Sequence, residues 1–238
     1  MTAISNLAIK IFADGADAGG IVRLARDPVI KGFTTNPTLM RAAGVADYEL
    51  FARGVLPCLR GRPISFEVFA DDFDGMERQA RTISTWGEPV YVKVPITNTR
   101  GESSEGVLRR LAANGVKLNV TALLTLDQVR TATACLAGGP PCFISVFAGR
   151  VADTGLDPVP LMREAVEIVS PHPNVELIWA SPREVLNIVQ ADSIGCHVIT
   201  VTHDMLRKLP LVGRDLGELS LETVRMFHRD AQAAGFVL

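Results

Sequence analysis

Short apolar segments recur along this chain at intervals of roughly 20 to 35 residues, and this rhythm constrains the fold more than any other feature. The segments are rich in β-branched and aromatic residues, which is typical of buried β-strands. Stretches with helical spacing of apolar residues separate them. The predicted strands are residues 9–14, 30–35, 64–70, 90–96, 117–123, 143–147, 175–180 and 198–202.

Strands that alternate with helices predict right-handed βαβ units and a parallel sheet. Eight units favour an α/β protein that forms a closed (β/α)8 TIM barrel. An open doubly wound sheet is the alternative, but no Gly-x-Gly-x-x-Gly follows an early strand. We expect one barrel domain over residues 1–238, with residues 215–238 as a C-terminal helical extension. The predicted helices include residues 17–26, 106–113, 126–136, 161–169, 184–190 and 219–234.

Charge and hydropathy argue against several classes of protein. The net charge of −2 and the pI of about 6.1 disfavour nucleic-acid and anionic-membrane partners. No basic run exceeds two residues, and no stretch is long enough to be a transmembrane helix. The N-terminal residues lack the basic and long apolar regions of a signal peptide. We therefore expect a cytoplasmic protein that binds neither nucleic acid nor membrane.

The cysteines and histidines show no metal-binding pattern. Neither Cys-x-x-Cys nor His-x-x-x-His spacing occurs, so a zinc-dependent mechanism has little support. Buried free thiols are the expected state of the cysteines, which fits a reducing compartment. The four cysteines are Cys58, Cys135, Cys142 and Cys196.

Lys93 lies in the middle of the fourth predicted strand, where a charged residue is unexpected. Lysine is rarely buried unless it is paired or chemically employed. Burial disfavours the ammonium form, and a neutral amine is what a Schiff-base enzyme requires. An exposed edge strand or an internal ion pair would also accommodate this lysine.

Polar residues stand at or near the ends of seven successive predicted strands, where a barrel builds its active site. Each alone has a structural explanation: Asp14 could cap a helix, and Glu67 could pair with Lys93. Together, a lysine, two carboxylates and several amide and hydroxyl groups at one mouth favour a functional site. The candidates are Asp14, Thr34, Asn36, Glu67, Lys93, Asn119, Thr121, Ser145 and Ser181.

Two arginines near the last strands predict an anion site. Ser181 and Arg183 precede the predicted helix 184–190, and Pro182 suits its first turn. Helix N-termini and arginine attract anions, and Arg150 could supply a second positive arm. A surface ion pair is the alternative for each arginine. Their shared location predicts a phosphorylated ligand.

Two other features have ordinary explanations. Residues 71–75 are similar to the start of a calcium loop, but the terminal glutamate is absent. A carboxylate-rich helix start explains them better. His203 follows the eighth strand, and we expect a capping or surface role for it.

These motifs, in this order, resemble the transaldolase family, and specifically its short members. Residues 32–37, Gly-Phe-Thr-Thr-Asn-Pro, are similar to the family's Gly-x-Thr-Thr-Asn-Pro signature. Residues 92–95, Val-Lys-Val-Pro, are similar to its Schiff-base strand. The later motifs match in type and spacing, so the resemblance covers nearly the whole chain. They are Asn119-x-Thr121, Ser145 with Arg150, and Ala180-Ser-x-Arg183.

The resemblance implies that Lys93 forms a Schiff base with a ketose phosphate, fructose 6-phosphate or sedoheptulose 7-phosphate. Asp14 would be the acid/base, and Glu67 and Thr121 would hold the water that relays protons. A dihydroxyacetone unit would pass to an aldose phosphate, as in the pentose phosphate pathway, without metal or cofactor. The substrate-binding residues would be Thr34, Asn36, Asn119 and Ser145 for donor hydroxyls, Phe147, and Arg150, Ser181 and Arg183 for phosphate.

A close branch of the family works as an aldolase on dihydroxyacetone and tends to carry Gln and Tyr where Glu67 and Phe147 stand. Both residues therefore favour transfer over simple cleavage. A barrel that only binds sugar phosphates is a third hypothesis. It is motivated by departures from the family pattern at Gly15, Val146, Trp179 and Pro182.

Short members of the family commonly assemble into rings of five or ten subunits, so the resemblance implies a homo-oligomer. The predicted C-terminal helix carries an apolar stripe that needs a partner surface.

Overall fold

The computed structural model describes residues 7–237, which form a closed barrel of eight parallel strands. Strand order follows chain order, and pairing of the first and last strands closes the barrel. The predicted (β/α)8 TIM barrel of the α/β class is confirmed. The strands are β1 Lys10–Asp14, β2 Ile30–Thr34, β3 Ile64–Glu67, β4 Val90–Pro95, β5 Leu118–Leu123, β6 Cys142–Val146, β7 Val175–Trp179 and β8 Val198–Thr202.

Helices connect successive strands, and a further helix follows β8. The longer predicted helices are present, several with ends displaced by a few residues. The helices are α1 Ala18–Leu24, α2 Pro37–Ala42, α3 Tyr48–Val55, α4 Phe73–Ser84, α5 Glu105–Ala113, α6 Leu126–Leu136, α7 Ala148–Asp153, α8 Pro158–Val169, α9 Leu186–Ser193, α10 His203–Leu206 and α11 Leu216–Ala234, with short 3-10 helices at Leu56–Cys58 and Leu209–Leu211.

Side-chain caps set where several of these helices begin. The Asp72 carboxylate accepts a hydrogen bond from the backbone N–H of Gly75 at 2.7 Å, so the acidic segment starts α4 as predicted. Thr125 and Gln128 form a reciprocal capping box at α6. Asp215 caps α11 in the same way as Asp72 caps α4.

The segment after β7 differs from the prediction. The helix begins at Leu186 rather than at residue 184, so Pro182 lies before the helix and not in its first turn. The side-chain oxygen of Asn187 accepts hydrogen bonds from the backbone N–H groups of Arg183 and Glu184, at 2.7 and 3.1 Å. These bonds satisfy the donors that a helical turn would otherwise leave open. The prediction of a helix over 184–190 was therefore wrong at its start.

The barrel interior is filled by an apolar cluster one layer below the polar strand ends. Phe12, Phe143 and Val198 each lie two residues before a polar residue of the mouth, and therefore on the same inward face. The rings of Phe12 and Phe143 meet edge to face, with centroids 5.5 Å apart. The interior is thus packed, and a ligand has room only above it.

All four cysteines are free thiols, as expected, and three of the four are buried. Cys135, Cys142 and Cys196 are buried free thiols, whereas Cys58, in a short 3-10 helix, is only partly buried. Burial raises the pKa of Cys142 to about 11 and that of Cys196 to about 12, so both stay protonated at neutral pH.

Among residues 7–237, none of the helices has both the length and the apolar composition to cross a membrane. Residues 1–6, on which the signal-peptide expectation rests, lie outside the described residues. So does residue 238, the last residue of the predicted domain and of the predicted extension.

Candidate active site

Strand register places the candidate residues side by side at the carboxyl ends of the strands. Lys93 on β4 is abreast of Glu67 on β3 and Asn119 on β5. Asp14 on β1 is abreast of Thr34 on β2. Because all eight strands are parallel, these side chains meet at one mouth of the barrel.

A cavity of about 520 Å³ opens at this mouth. It brings together ten of the twelve residues predicted for the site, which lie on seven different strands or the loops that follow them. Asn119 and Arg183 do not line it. The ten are Asp14, Thr34, Asn36, Glu67, Lys93, Thr121, Ser145, Phe147, Arg150 and Ser181.

Lys93 is buried, with 5% of its surface exposed, and both of its contacts are polar. Its Nζ donates a hydrogen bond to the carbonyl oxygen of Thr35 at 2.9 Å and lies 3.2 Å from Oε2 of Glu67. The hydroxyl of Tyr48 bonds both backbone groups of Glu67, at 2.7 and 3.2 Å, and fixes the end of β3. The amine is therefore held in one position at the floor of the cavity.

Asp14 lies in a setting that disfavours its charged form. Burial raises the pKa of Asp14 above its ordinary value. The charge of Lys93, a hydrogen bond from Thr34 and the proximity of His203 oppose this rise without cancelling it. The Oγ1 of Thr34 donates to Oδ1 of Asp14 at 2.7 Å. A carboxyl group with a raised pKa suits proton exchange near neutral pH.

Asn119 lies beneath the cavity and holds the side chains around it. Its amide donates to Oγ of Ser65 at 2.9 Å and accepts from Oγ of Ser145 at 2.7 Å. The side chain is fully buried, so it orients Ser145 rather than facing the cavity itself. The buried hydroxyl of Thr121 has no hydrogen-bond partner within the described residues, which leaves it available to a ligand or a water.

Arg150 and Ser181 both line the cavity, and α7, which carries Arg150, packs closely on the loop after β7. A Cβ atom at Gly149 would lie only 1.5 Å from the backbone oxygen of Ser181, so this approach requires glycine. The Arg150 guanidinium lies 5.3 Å from the centroid of the Phe147 ring. A cation and a hydroxyl thus face the same space.

Arg183, the second predicted anion ligand, is engaged elsewhere. Its Nε donates to Oδ1 of Asp153 at 2.8 Å, and its Nη1 donates to Oγ of Ser181 at 3.0 Å. The ion pair with Asp153 is the alternative that the sequence left open for each arginine. Arg183 therefore contacts Ser181 at the edge of the site and does not line the cavity.

Thr200 and His203 are two of the residues near the site that were not among the predicted candidates. Thr200 on β8 lines the cavity, and its hydroxyl meets that of Thr34. A threonine is ordinary in a strand, so the sequence carried no signal for it. His203 was expected to have a capping or surface role, but Thr202 is the residue that caps α10. The ring of His203 instead covers the backbone of Gly15, where a Cβ atom would lie 2.9 Å from Nε2 of His203.

Within residues 7–237, no three histidine, cysteine, aspartate or glutamate side chains lie together as they would around a metal ion.

Comparison with known proteins gives consistent relatives. The family described as transaldolase/fructose-6-phosphate aldolase matches residues 11–238. A protein of Roseiflexus castenholzii, named a probable transaldolase, is 36% identical over 201 residues, which cover 84% of this chain and 88% of that protein. A Thermoanaerobacter protein of the same name is 31% identical over 228 residues, covering 95% and 99%.

Solved structures show the same fold at low identity. A mandelate oxidase mutant with an FMN adduct superposes with a TM-score of 0.56 at 18% identity, covering 98% of this chain and 80% of that one. This likeness concerns the barrel alone.

Proposed function

Because the chain belongs to the transaldolase/fructose-6-phosphate aldolase family, we propose that it is a transaldolase. It would transfer a dihydroxyacetone unit from a ketose phosphate, fructose 6-phosphate or sedoheptulose 7-phosphate, to an aldose phosphate. The observation that carries the proposal is the buried amine of Lys93 at the floor of a polar cavity, 3.2 Å from Glu67. A fixed amine and a separate carboxyl group, that of Asp14, are the parts that Schiff-base chemistry needs.

In the first step, Nζ of Lys93 attacks the donor's keto carbon. Glu67 accepts a proton from the amine and passes it on, so that two protons in all move from the Lys93–Glu67 pair to the keto oxygen, which leaves as water, while one hydrogen stays on the nitrogen. Thr121, whose hydroxyl has no partner within the described residues, would help Glu67 to hold the water that relays these protons. The product is an iminium ion on Lys93 that can accept an electron pair.

In the second step, Asp14 removes the proton of the donor hydroxyl β to the iminium carbon, on the carbon that becomes the aldehyde of the leaving aldose phosphate. The carbon–carbon bond breaks, its electrons enter the iminium, and an aldose phosphate leaves. The resulting enamine on Lys93 attacks the acceptor aldehyde, and Asp14 returns its proton to the new alkoxide. Water then hydrolyses the iminium. The raised pKa of Asp14 suits a group that must hold and release one proton in each cycle.

The remaining cavity residues would bind the substrates. Arg150 and Ser181 face the same space and suit a phosphate group. Asn36, Thr34 and Ser145 present amide and hydroxyl groups to donor hydroxyls. Asn119 would act by orienting Ser145, and Arg183 by orienting Ser181.

Adduct trapping tests the Schiff base. Borohydride reduction with fructose 6-phosphate should fix a dihydroxyacetone-derived adduct on Lys93, located by peptide mass spectrometry. Lys93→Met should abolish the adduct and lower turnover by at least about a thousandfold, since the nucleophile is lost. Lys31→Met, at an exposed lysine of β2, is the matched control and should behave like the wild type. Trapping on another lysine would overturn the proposal. Tight binding without turnover in both the wild type and Lys93→Met would also overturn it.

Cleavage without transfer is the second candidate, because the matched family includes fructose-6-phosphate aldolase. By resemblance, Glu67 and Phe147 favour transfer. Dihydroxyacetone release from fructose 6-phosphate, measured with and without an acceptor aldose phosphate, separates the two activities. A transaldolase should release little in either case and should form a new ketose phosphate when the acceptor is present.

A further inference from the structure

A short chain of hydrogen-bonded side chains leads from Thr200 on β8 through Thr34 on β2 to Asp14 on β1. Thr34 on β2 donates to Asp14 on β1 at 2.7 Å, and the Oγ1 atoms of Thr34 and Thr200 lie 2.5 Å apart. Both threonines are buried, with 2% and 6% of their surfaces exposed. Their geometry is therefore set by the strands rather than by solvent.

We propose that Thr200 is a positioning residue that acts on Asp14 through the hydroxyl of Thr34. This inference rests on the proposed function, which makes Asp14 the acid/base of the reaction.

The direction of the hydrogen bonds follows from the chemistry of the groups. An ionised carboxylate only accepts, so Thr34 must donate to Asp14 and can then accept from Thr200. When Asp14 carries a proton it can donate to Thr34, whose own hydrogen can turn to Thr200. Since a hydroxyl both donates and accepts, the same chain serves both protonation states. A residue that takes up and returns a proton needs such support in each state.

The charged groups near Asp14 act on it directly and not through Thr200. Lys93 faces Asp14 from β4 and His203 faces it from α10. Glu67 and Arg150 line the same cavity, and Glu67 pairs with Lys93. Within residues 7–237, the side chain of Thr200 hydrogen-bonds only to Thr34. Any effect of its hydroxyl on Asp14 should therefore pass through Thr34.

Titration of Asp14 in the ligand-free protein is the primary test. The carboxyl carbon of Asp14 is followed by carbon-13 NMR against pH in the wild type, Thr200→Val, Thr34→Val and the double variant. Valine keeps the shape of threonine and has a methyl group in place of the hydroxyl. Thr200→Val should raise the pKa of Asp14, because Thr34 becomes a weaker donor, and Thr34→Val should raise it further. Thr200→Ser should titrate like the wild type.

The double variant tests the route of the effect. If Thr200 acts through Thr34, adding Thr200→Val to Thr34→Val should produce no further change. Thr133→Val removes a buried hydroxyl that has no partner within the described residues, far along the chain in α6, and should leave the titration unchanged. An unchanged titration in Thr200→Val, or the same shift with and without Thr34, would overturn the inference.

Turnover provides the second readout. Thr200→Val should lower kcat by about fivefold, the effect of one hydrogen bond, with KM nearly unchanged, and should move the acidic limb of the pH profile upward. The Lys93 adduct should still form. If the wild type forms no adduct, the proposed function fails, while the NMR titration still decides whether the hydroxyl chain controls Asp14.

Discussion

Lys93 is buried and Asp14 is partly buried at the same cavity, and the two groups have different partners. Lys93 has an ionic partner in Glu67 and a carbonyl acceptor in Thr35. Asp14 has one hydroxyl donor, and burial outweighs every group that would stabilise its charge. The folded protein therefore favours the protonated form of Asp14 more than the unfolded chain does, and ionisation of this group opposes folding.

Because the buried charge of Asp14 opposes folding, we expect Asp14→Asn to stabilise the protein while it destroys activity. The pKa of Asp14 is raised in the folded state, so its contribution to stability is greatest at low pH and is lost as pH rises from the ordinary value through the raised one. Asparagine has no charge to bury. The variant should therefore melt at a higher temperature than the wild type at pH 8, with a smaller difference at pH 4. Turnover should fall by about a hundredfold or more.

Asp71→Asn is the contrasting control for this measurement. The pKa of the exposed Asp71 is lowered, first by a hydrogen bond from the Thr99 side chain, so its charge favours folding. Its replacement should slightly lower the melting temperature at pH 8 and have less effect at low pH. A lower melting temperature for Asp14→Asn at pH 8, or a gap to the wild type that is no larger there than at pH 4, would contradict the account of Asp14.

His203 explains one departure from the family pattern. Gly15 stands where a small hydroxyl residue is usual, and the ring of His203 occupies the room that a side chain at residue 15 would need. The same ring also leaves no space for a side chain at Gly20, where a Cβ atom would lie 2.6 Å from Cε1 of His203. Burial lowers the pKa of His203, which favours the neutral form of the ring.

At the scale of elements, the approach of α7 to the loop after β7 should govern phosphate binding. Gly149→Ala places a methyl group 1.5 Å from the Ser181 backbone oxygen, so the two segments must separate. We expect a loss of about 1–3 kcal/mol in stability and a KM for fructose 6-phosphate that rises more than kcat falls. Thermal melting and steady-state kinetics measure both.

Gly54→Ala is the matched control for this change. A Cβ atom at Gly54, in α3, would meet no other atom within 4 Å, so the substitution should be neutral or slightly stabilising. If Gly149→Ala leaves both stability and KM at wild-type values, the packing of α7 on this loop does not position Arg150 and Ser181.

The strands could be predicted from sequence because each is a short apolar run with a polar residue at its end. Lys93 was found for the same reason, as one charge in such a run. What the sequence missed depends on contacts between distant segments. The Asn187 side chain accepts a hydrogen bond from the backbone of Arg183, and α9 begins later than predicted. Asp153 pairs with the Arg183 guanidinium, which does not line the cavity. Thr200 is a common strand residue whose role depends only on meeting Thr34 across the barrel.

At the scale of the whole molecule, α11 differs in burial from every other α-helix of residues 7–237. None of its 19 residues is buried, although apolar side chains follow one face of the helix. Val224 and Phe227 are 59% and 63% exposed. Most helices in proteins gain their stability by packing an apolar face rather than from intrinsic helix propensity. A second copy of this chain is the partner that the family resemblance implies, and we propose that α11 is covered in a homo-oligomer of five or ten subunits.

Substitution on the apolar face of α11 tests this assembly. Sedimentation equilibrium should show an oligomer for the wild type, and Val224→Glu combined with Phe227→Glu should dissociate it, because each carboxylate would be buried without a partner. The variant should keep its barrel, judged by circular dichroism, and should lose the helical signal of α11. Arg229→Glu, on the opposite face by helical phase, is the control and should leave the assembly intact. A monomeric wild type, or a doubly substituted protein with the wild-type mass, would show that α11 does not hold subunits together.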